Sequence, residues 1–345
     1  MASDPGAKVA ELIFGRWKSR ILYTAVKLGV IEVLERGGKS SGALASELDL
    51  DPAMAYRLLR AMASIGLLEE QQNRVFVLTL EGAILLAGHP QSLRAVALLQ
   101  EGSEHTAVWK HLPEIVRQGP PHGFMREYGH SAFEHASQDA EYCRLFDAAM
   151  NEYSASQTQP ILEALKDFDF STIRTVCDIG GGYGYLLCGL LQAHAQLTGT
   201  VLERPGILGD ESLLEANRLD LQARCRYVAG DMFENVPAAD LYLLKLILHD
   251  WSDTDAQRIL QSARKSASAG CHIFVIEHVV PGPPGFNDPH FAKLYDIHMM
   301  CWGPGRERTA PEYAELLEAA GWRYGGRRPV AGGMMGIIEG TVPRQ

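Results

Sequence analysis

The apolar positions of this chain change period near its middle. From residue 5 to about residue 90 they recur at helical spacing and close on a short hairpin. The stretch "SGALASELDLDPAMAYRLLRAMASIGLLEE", Ser41 to Glu70, predicts one helix over Ser41–Leu48. A second helix opens with Asp51 as N-cap and Pro52 as its first residue. Leu58, Leu59, Met62 and Ile65 share one face of it, and "NRVFVLT" then alternates like a strand. Helix, turn, helix and strand pair make a winged-helix pattern. Residues 91–165 keep a helical texture but are rich in rings and methionine: Trp109, Phe124, Met125, Tyr128, Phe133, Phe146, Met150 and Tyr153. "RQGPPHGF" interrupts them as a loop.

From about Thr172 short apolar runs take over. "IRTVCDIG", "LTGTVLER", "CRYVAGD", "ADLYLLKLIL" and "CHIFVIEHVV" read as buried strands, with helical stretches such as Asp255 to Ala267 between them. This alternation predicts an α/β fold with a parallel sheet covered on both faces. Ligands of such sheets bind beyond the carboxyl ends of the strands. The polar residues at those ends are therefore the candidates for chemistry.

The first strand ends in "DIGGGYG", which fits D-x-G-x-G-x-G with Asp178, Gly180, Gly182 and Gly184. Tyr185 replaces the last glycine of the dinucleotide fingerprint, which disfavours a nicotinamide dehydrogenase. The second strand ends at Glu203, an acid able to accept from both hydroxyls of a ribose. The third ends in "GDMF": Asp231 offers an acceptor, Met232 and Phe233 apolar faces, and Gly230 a close approach, all suited to an adenine. The fourth delivers Lys245 and His249, the fifth Glu277. Any one of these has an ordinary structural explanation. Five strand ends carrying a coherent polar set are harder to dismiss.

Composition narrows the classes. The 345 residues are 46% hydrophobic and 21% charged, enough for a large core in two domains. A net charge of -10 argues against general affinity for nucleic acid or anionic membranes. The candidate recognition helix offers only Arg57 and Arg60 among acids, a poor match to a DNA reader. The six cysteines form no C-x-x-C pair and no zinc spacing, so no metal is expected. No apolar run approaches the roughly 18 residues of a membrane span, and the N-terminus lacks the pattern of a signal peptide. A soluble, cytoplasmic protein is expected.

"DIGGGYG", "GDMF", "LKLILHDWSD" and "GRERT" (Gly305 to Thr309) stand in an order and spacing that resembles small-molecule O-methyltransferases using S-adenosylmethionine. This is the family of caffeic acid and hydroxyindole O-methyltransferases, and "GRWKSRILYTAVKLGV" and "LYDIHMM" look most like its bacterial phenazine members. The resemblance covers nearly the whole chain. It implies a Rossmann-like catalytic domain with a mostly parallel seven-stranded sheet over residues 166–345. It also implies an α-helical winged-helix dimerisation domain over 1–100, and a helical connecting segment over 101–165 that contributes to the substrate pocket.

Carried over by residue, the resemblance implies that Asp178, Gly180, Gly182, Glu203, Gly230, Asp231, Met232, Phe233, Lys245, Trp251 and Ser154 bind the cofactor, with S-adenosylhomocysteine as product. It makes His249 the general base, flanked and oriented by Glu277 and Glu307. Phe146, Met150, Asp250, His298, Met299 and Trp302 are the candidate substrate wall, suited to a flat aromatic natural product such as a phenazine or polyketide phenol. His298 and Trp302 depart from the plant pattern, which leaves the acceptor open. A base near the reference value of about 6.5 is neutral at pH 7, as proton removal requires. The partners implied are an aromatic small molecule and a second copy of the chain, with no nucleic acid and no membrane. The rival readings are the same fold diverted to decarboxylation, hydroxylation or ring formation, and a winged-helix transcriptional regulator.

Overall fold

The computed structural model describes residues 4–209 and 211–344, which pack as two compact units. The first unit runs to Thr106 and takes in Ala136–Ser156; the second holds Ala107–His135 and Gln157 onward. The ring-rich stretch between 101 and 165 is thus shared between them. Its helix Ala140–Ala164 belongs to the first unit as far as Ser156.

In the first unit the expected winged-helix elements form. Asp51 accepts from the amides of Ala53 and Met54, both at 2.9 Å, and so satisfies two donors that open the helix Pro52–Ser64. Ala55, Leu59 and Met62 of this helix are buried, with Leu58 and Ile65 packed at the edge of the same core. The hairpin Leu68–Gln71 and Val75–Leu78 is antiparallel, and Lys39–Ser40 pairs with its second strand. Glu152 accepts from the Ser92 hydroxyl at 2.8 Å and the Ala95 amide at 2.7 Å, which caps the helix Arg94–Gln100. The helix Pro5–Lys27 leaves Val9, Leu12, Ile13, Phe14 and Trp17 in solvent.

The second unit is built on a seven-stranded sheet. The middle of its five parallel strands, Thr175–Ile179, has Thr198–Glu203 and then Cys225–Ala229 on one side. On the other side lie Leu241–Lys245 and His272–Glu277, and all five are parallel. Gly336–Thr341 and Arg323–Pro329 complete the far edge as an antiparallel pair. The chain leaves the centre in one direction and returns to it in the other. This reversal opens a crevice at the carboxyl ends of Thr175–Ile179 and Leu241–Lys245. No helix among the described residues is long and apolar enough to cross a membrane.

One expectation is shortened for a clear reason. The apolar run "ADLYLLKLIL" is a strand only over Leu241–Lys245. Leu246 turns to φ 54°, a left-handed conformation that costs a leucine energy and concentrates at functional sites. The amides of Ile247 and Leu248 then leave the ladder and donate to Glu277.

Candidate active site

The glycine-rich turn lies at the end of the strand Thr175–Ile179. Gly180, Gly182 and Gly184 have φ of +68°, +56° and +86°, so the turn needs residues without a Cβ. A Cβ on Gly180 would meet Ile247 Cδ1 at 2.4 Å, so this turn and the His249 segment are packed together. Glu203 accepts from the Gly182 amide at 3.2 Å and from the Arg204 amide at 2.7 Å, which fixes its carboxylate against the turn. Asp231 accepts from the Phe233 amide at 2.8 Å. Phe233 meets Trp251 edge-on at 4.8 Å, and Phe133 stacks on Trp251 at 6.3 Å. Asp178 feels the charges of Lys245 and Glu203, and the Gly230 amide beside Asp231 donates to the Glu203 carbonyl at 3.0 Å, so these strand ends lie near one another.

His249 sits in a single tight turn, Leu248–Asp250, and is 5% exposed. Its Nδ1 lies 2.8 Å from Glu307 Oε1, and the Nε2 side faces Asp250 Oδ1 at 3.6 Å. Glu277 Oε2 is 3.8 Å from Nδ1, too far for a hydrogen bond. The two glutamates therefore divide the work expected of both. Glu307 orients the ring. Glu277 holds the backbone, its Oε1 accepting from Ile247 at 3.1 Å and Leu248 at 2.8 Å. Glu277 ends one strand, and two residues on Val279–Val280 pairs in parallel with Arg308–Thr309. That short ladder delivers Glu307 to the ring.

The charge state differs from the expectation of a ring near its reference value. Burial pushes the imidazolium down, but Asp250, Glu277 and Glu307 outweigh it and carry His249 up to about 10. Burial raises Glu277 to about 7 and Asp250 to about 6, with His249 opposing both shifts. His249, Glu277 and Asp250 thus titrate as an interacting set rather than singly. His249, Glu277 and Glu307 each offer a ligand atom within 4.8 Å of the others.

A series of rings leads away from this base. Tyr295 lies 6.0 Å from His249 with their planes 8° apart, and 5.2 Å from His298. His298 stacks on Trp109 at 6.2 Å and on Trp302 at 6.3 Å. Burial, with the neighbouring His249, lowers His298 to about 4, so this ring is neutral at physiological pH. His298, Met299 and Trp302 are all buried on the helix Phe291–Trp302. Phe146, Met150 and Ser154 lie on the first-unit part of Ala140–Ala164, where Phe146 stacks on Tyr142 at 6.2 Å.

The model of the O-methyltransferase domain matches residues 109–323, and that of the O-methyltransferase dimerisation domain matches 10–88. The chain belongs to the O-methyltransferase family. The phenazine O-methyltransferase PhzM of Lysobacter antibioticus is 34% identical over 333 residues, 95% of this chain and 94% of that one. The mitomycin biosynthesis 6-O-methyltransferase of Streptomyces lavendulae is 32% identical, over 96% of this chain and 93% of its own. The solved structure of LaPhzM matches with a TM-score of 0.89 at 31% identity, covering 98% of this chain and 99% of that chain.

As an O-methyltransferase the protein draws its methyl group from S-adenosylmethionine. The residues present fit that molecule. Asp178 is buried at the sheet's carboxyl edge with Oδ1 lacking a hydrogen-bond partner among the described residues. Burial raises its carboxyl to about 7, Lys245 pulling it down and Glu203 adding to the rise. An orphaned acceptor beside a glycine turn is where a polar ligand completes the bonding. Lys245 is depressed by burial, while Asp178 and Glu277 act to raise it. It stands between the charges of the glycine turn and those of the base cluster.

Three groups of this O-methyltransferase escaped the sequence reading. Tyr295 lay in the quoted "LYDIHMM", one helical turn before His298, and only that spacing pointed to it. Gly305 and Arg308 bracket Glu307 in "GRERT". A Cβ on Gly305 would fall 1.8 Å from the His249 carbonyl oxygen, a contact no sequence pattern discloses.

Proposed function

We propose that this O-methyltransferase methylates a phenolic hydroxyl of an aromatic natural product, with His249 taking the acceptor's proton. The observation that carries the reading is the His249 Nδ1–Glu307 contact at 2.8 Å, buried beside the Tyr295, His298 and Trp302 rings. The pairing orients Nε2 as the atom that meets a hydroxyl. Proton removal needs an unprotonated Nε2, so the raised imidazolium first gives up its Nε2 proton; Nε2 then takes the hydroxyl proton while Glu307 holds Nδ1–H in place and stabilises the imidazolium that forms. Flat aromatic acceptors suit the rings, and the phenazine and mitomycin relatives support that class. Asp178, Glu203, Asp231, Met232 and Lys245 would hold the cofactor, which supplies an electrophilic methyl on a positively charged sulfur.

The test is incubation with methyl-deuterated S-adenosylmethionine and a panel of hydroxylated phenazines, anthraquinones and simple phenols. The expected product carries the intact labelled methyl on oxygen. A product of altered mass without label establishes the diverted chemistry instead.

The elevated His249 value has a further consequence. A second positive charge near the cluster lowers a raised imidazolium, so protons leave when a sulfonium binds. Calorimetry at pH 8 in buffers of different protonation enthalpy is expected to show proton release on binding S-adenosylmethionine and less on binding neutral-sulfur S-adenosylhomocysteine. Equal release for the two would remove the coupling.

The same reading makes the protein a homodimer through its first unit. Val9, Leu12, Ile13, Phe14 and Trp17 form an apolar surface on the first helix, all but Val9 within the span of the dimerisation model. Sedimentation at micromolar concentration is expected to give twice the chain mass; a monomer there contradicts it.

A further inference from the structure

Arg308 is fully buried, and its guanidinium has a specific task. Nη1 donates to the Leu248 carbonyl at 2.9 Å and Nη2 to the Trp251 carbonyl at 2.9 Å, the two carbonyls that bracket His249 and Asp250. Nη1 also reaches the Arg306 carbonyl at 3.3 Å. Nε donates to Asp253 Oδ1 at 2.9 Å, and Nη2 lies 2.7 Å from the same oxygen. The Arg308 backbone pairs with Val279, two residues beyond Glu277. The preceding residue is Glu307, whose carboxylate meets the His249 ring. One residue thus ties together the base's turn, the short strand that follows Glu277 and the segment that carries Glu307.

We propose that Arg308, anchored by Asp253, is a positioning residue that sets the register between His249 and Glu307. The proposal rests on the reading of His249 as base. A planar five-donor fork can hold two carbonyls and a carboxylate at once, whereas the compact ammonium of lysine cannot. With the fork gone the turn is free to shift against Glu307, and a displacement near 1 Å can cost about 10² in rate.

Arg308→Lys is expected to lower kcat on a neutral phenol by about 10- to 100-fold. KM and cofactor affinity should stay near wild type, and the pH–rate profile should move because the His249–Glu307 contact loosens. Asp253→Asn is the gentler companion, since Asp253 is half exposed and the change keeps its volume. It should shift the profile in the same direction by less. Arg308→Lys and Asp253→Asn enzymes that melt earlier yet keep the wild-type kcat and pH profile while folded would overturn the proposal and leave Arg308 a stabilising residue only. His249→Asn, which keeps a donor toward Glu307, is run alongside. If that variant retains full turnover and an unchanged profile, the base reading has failed and the positioning role falls with it. If it loses turnover while the Arg308 and Asp253 variants do not, the positioning role alone is wrong.

Discussion

His249→Ala is expected to lose about 10²- to 10⁴-fold in turnover on a neutral phenol, the usual worth of a positioned general base. Affinity for S-adenosylmethionine should persist, because the glycine turn, Glu203 and Asp231 are held by backbone hydrogen bonds that do not involve the ring. The variant also carries a stability signature. The folded ring is raised to about 10 from an ordinary 6.5. Its stabilising contribution is therefore complete below about pH 6.5 and fades as pH rises toward 10. Thermal unfolding should show the larger loss at pH 6 and a narrowing gap at high pH. A uniform loss across that range would mean the buried charge pairing has been misread.

Gly305→Ala should be nearly as damaging, by another route. The added Cβ would lie 1.8 Å from the His249 carbonyl oxygen, 2.5 Å from Asp250 C and 2.7 Å from Asp250 Cα. All three are backbone atoms, so no side chain can swing away and the turn itself must move. Overpacking of this kind costs roughly 1–3 kcal/mol or more, and the shift falls on the residue proposed as base. A loss of at least about 10² in kcat is expected from misplacement alone. Gly303→Ala is the control two residues away: nothing lies within 4 Å of its Cβ and its backbone is extended. Equal activity for the two variants would show that the close approach has no catalytic consequence.

Much of this was legible because it is local. Short continuous apolar runs marked the five parallel strands, and the chemistry gathered at their ends where an open parallel sheet places it. The edge strand Arg323–Pro329 was not legible. Its sequence "RYGGRRP" reads as loop, because an edge strand need not bury both faces and its burial alternates between exposed and intermediate. The end of the strand after Lys245 was hidden for a different reason. Leu246, Ile247 and Leu248 have strand-like side chains, and only Glu277, about thirty residues on, takes the Ile247 and Leu248 amides out of the ladder.

The charge of the site was the furthest from sight. Asp250, Glu277 and Glu307 come from three separate segments, and their joint effect on His249 exists only once the sheet is assembled. A neutral histidine was the natural expectation; the fold surrounds it with carboxylates that raise it. Arg308 stayed hidden likewise, since a fully buried arginine in a polar motif looks like any surface cation until its carbonyl partners are known.

The most direct test of the central claim is the ratio of wild-type to His249→Ala turnover across a series of phenolic acceptors of falling pKa, at one pH. If His249 removes the proton, the ratio is largest for weakly acidic phenols and approaches one for acceptors already ionised in the assay. A ratio that stays large and constant along the series would contradict the account and assign the ring to positioning rather than proton removal.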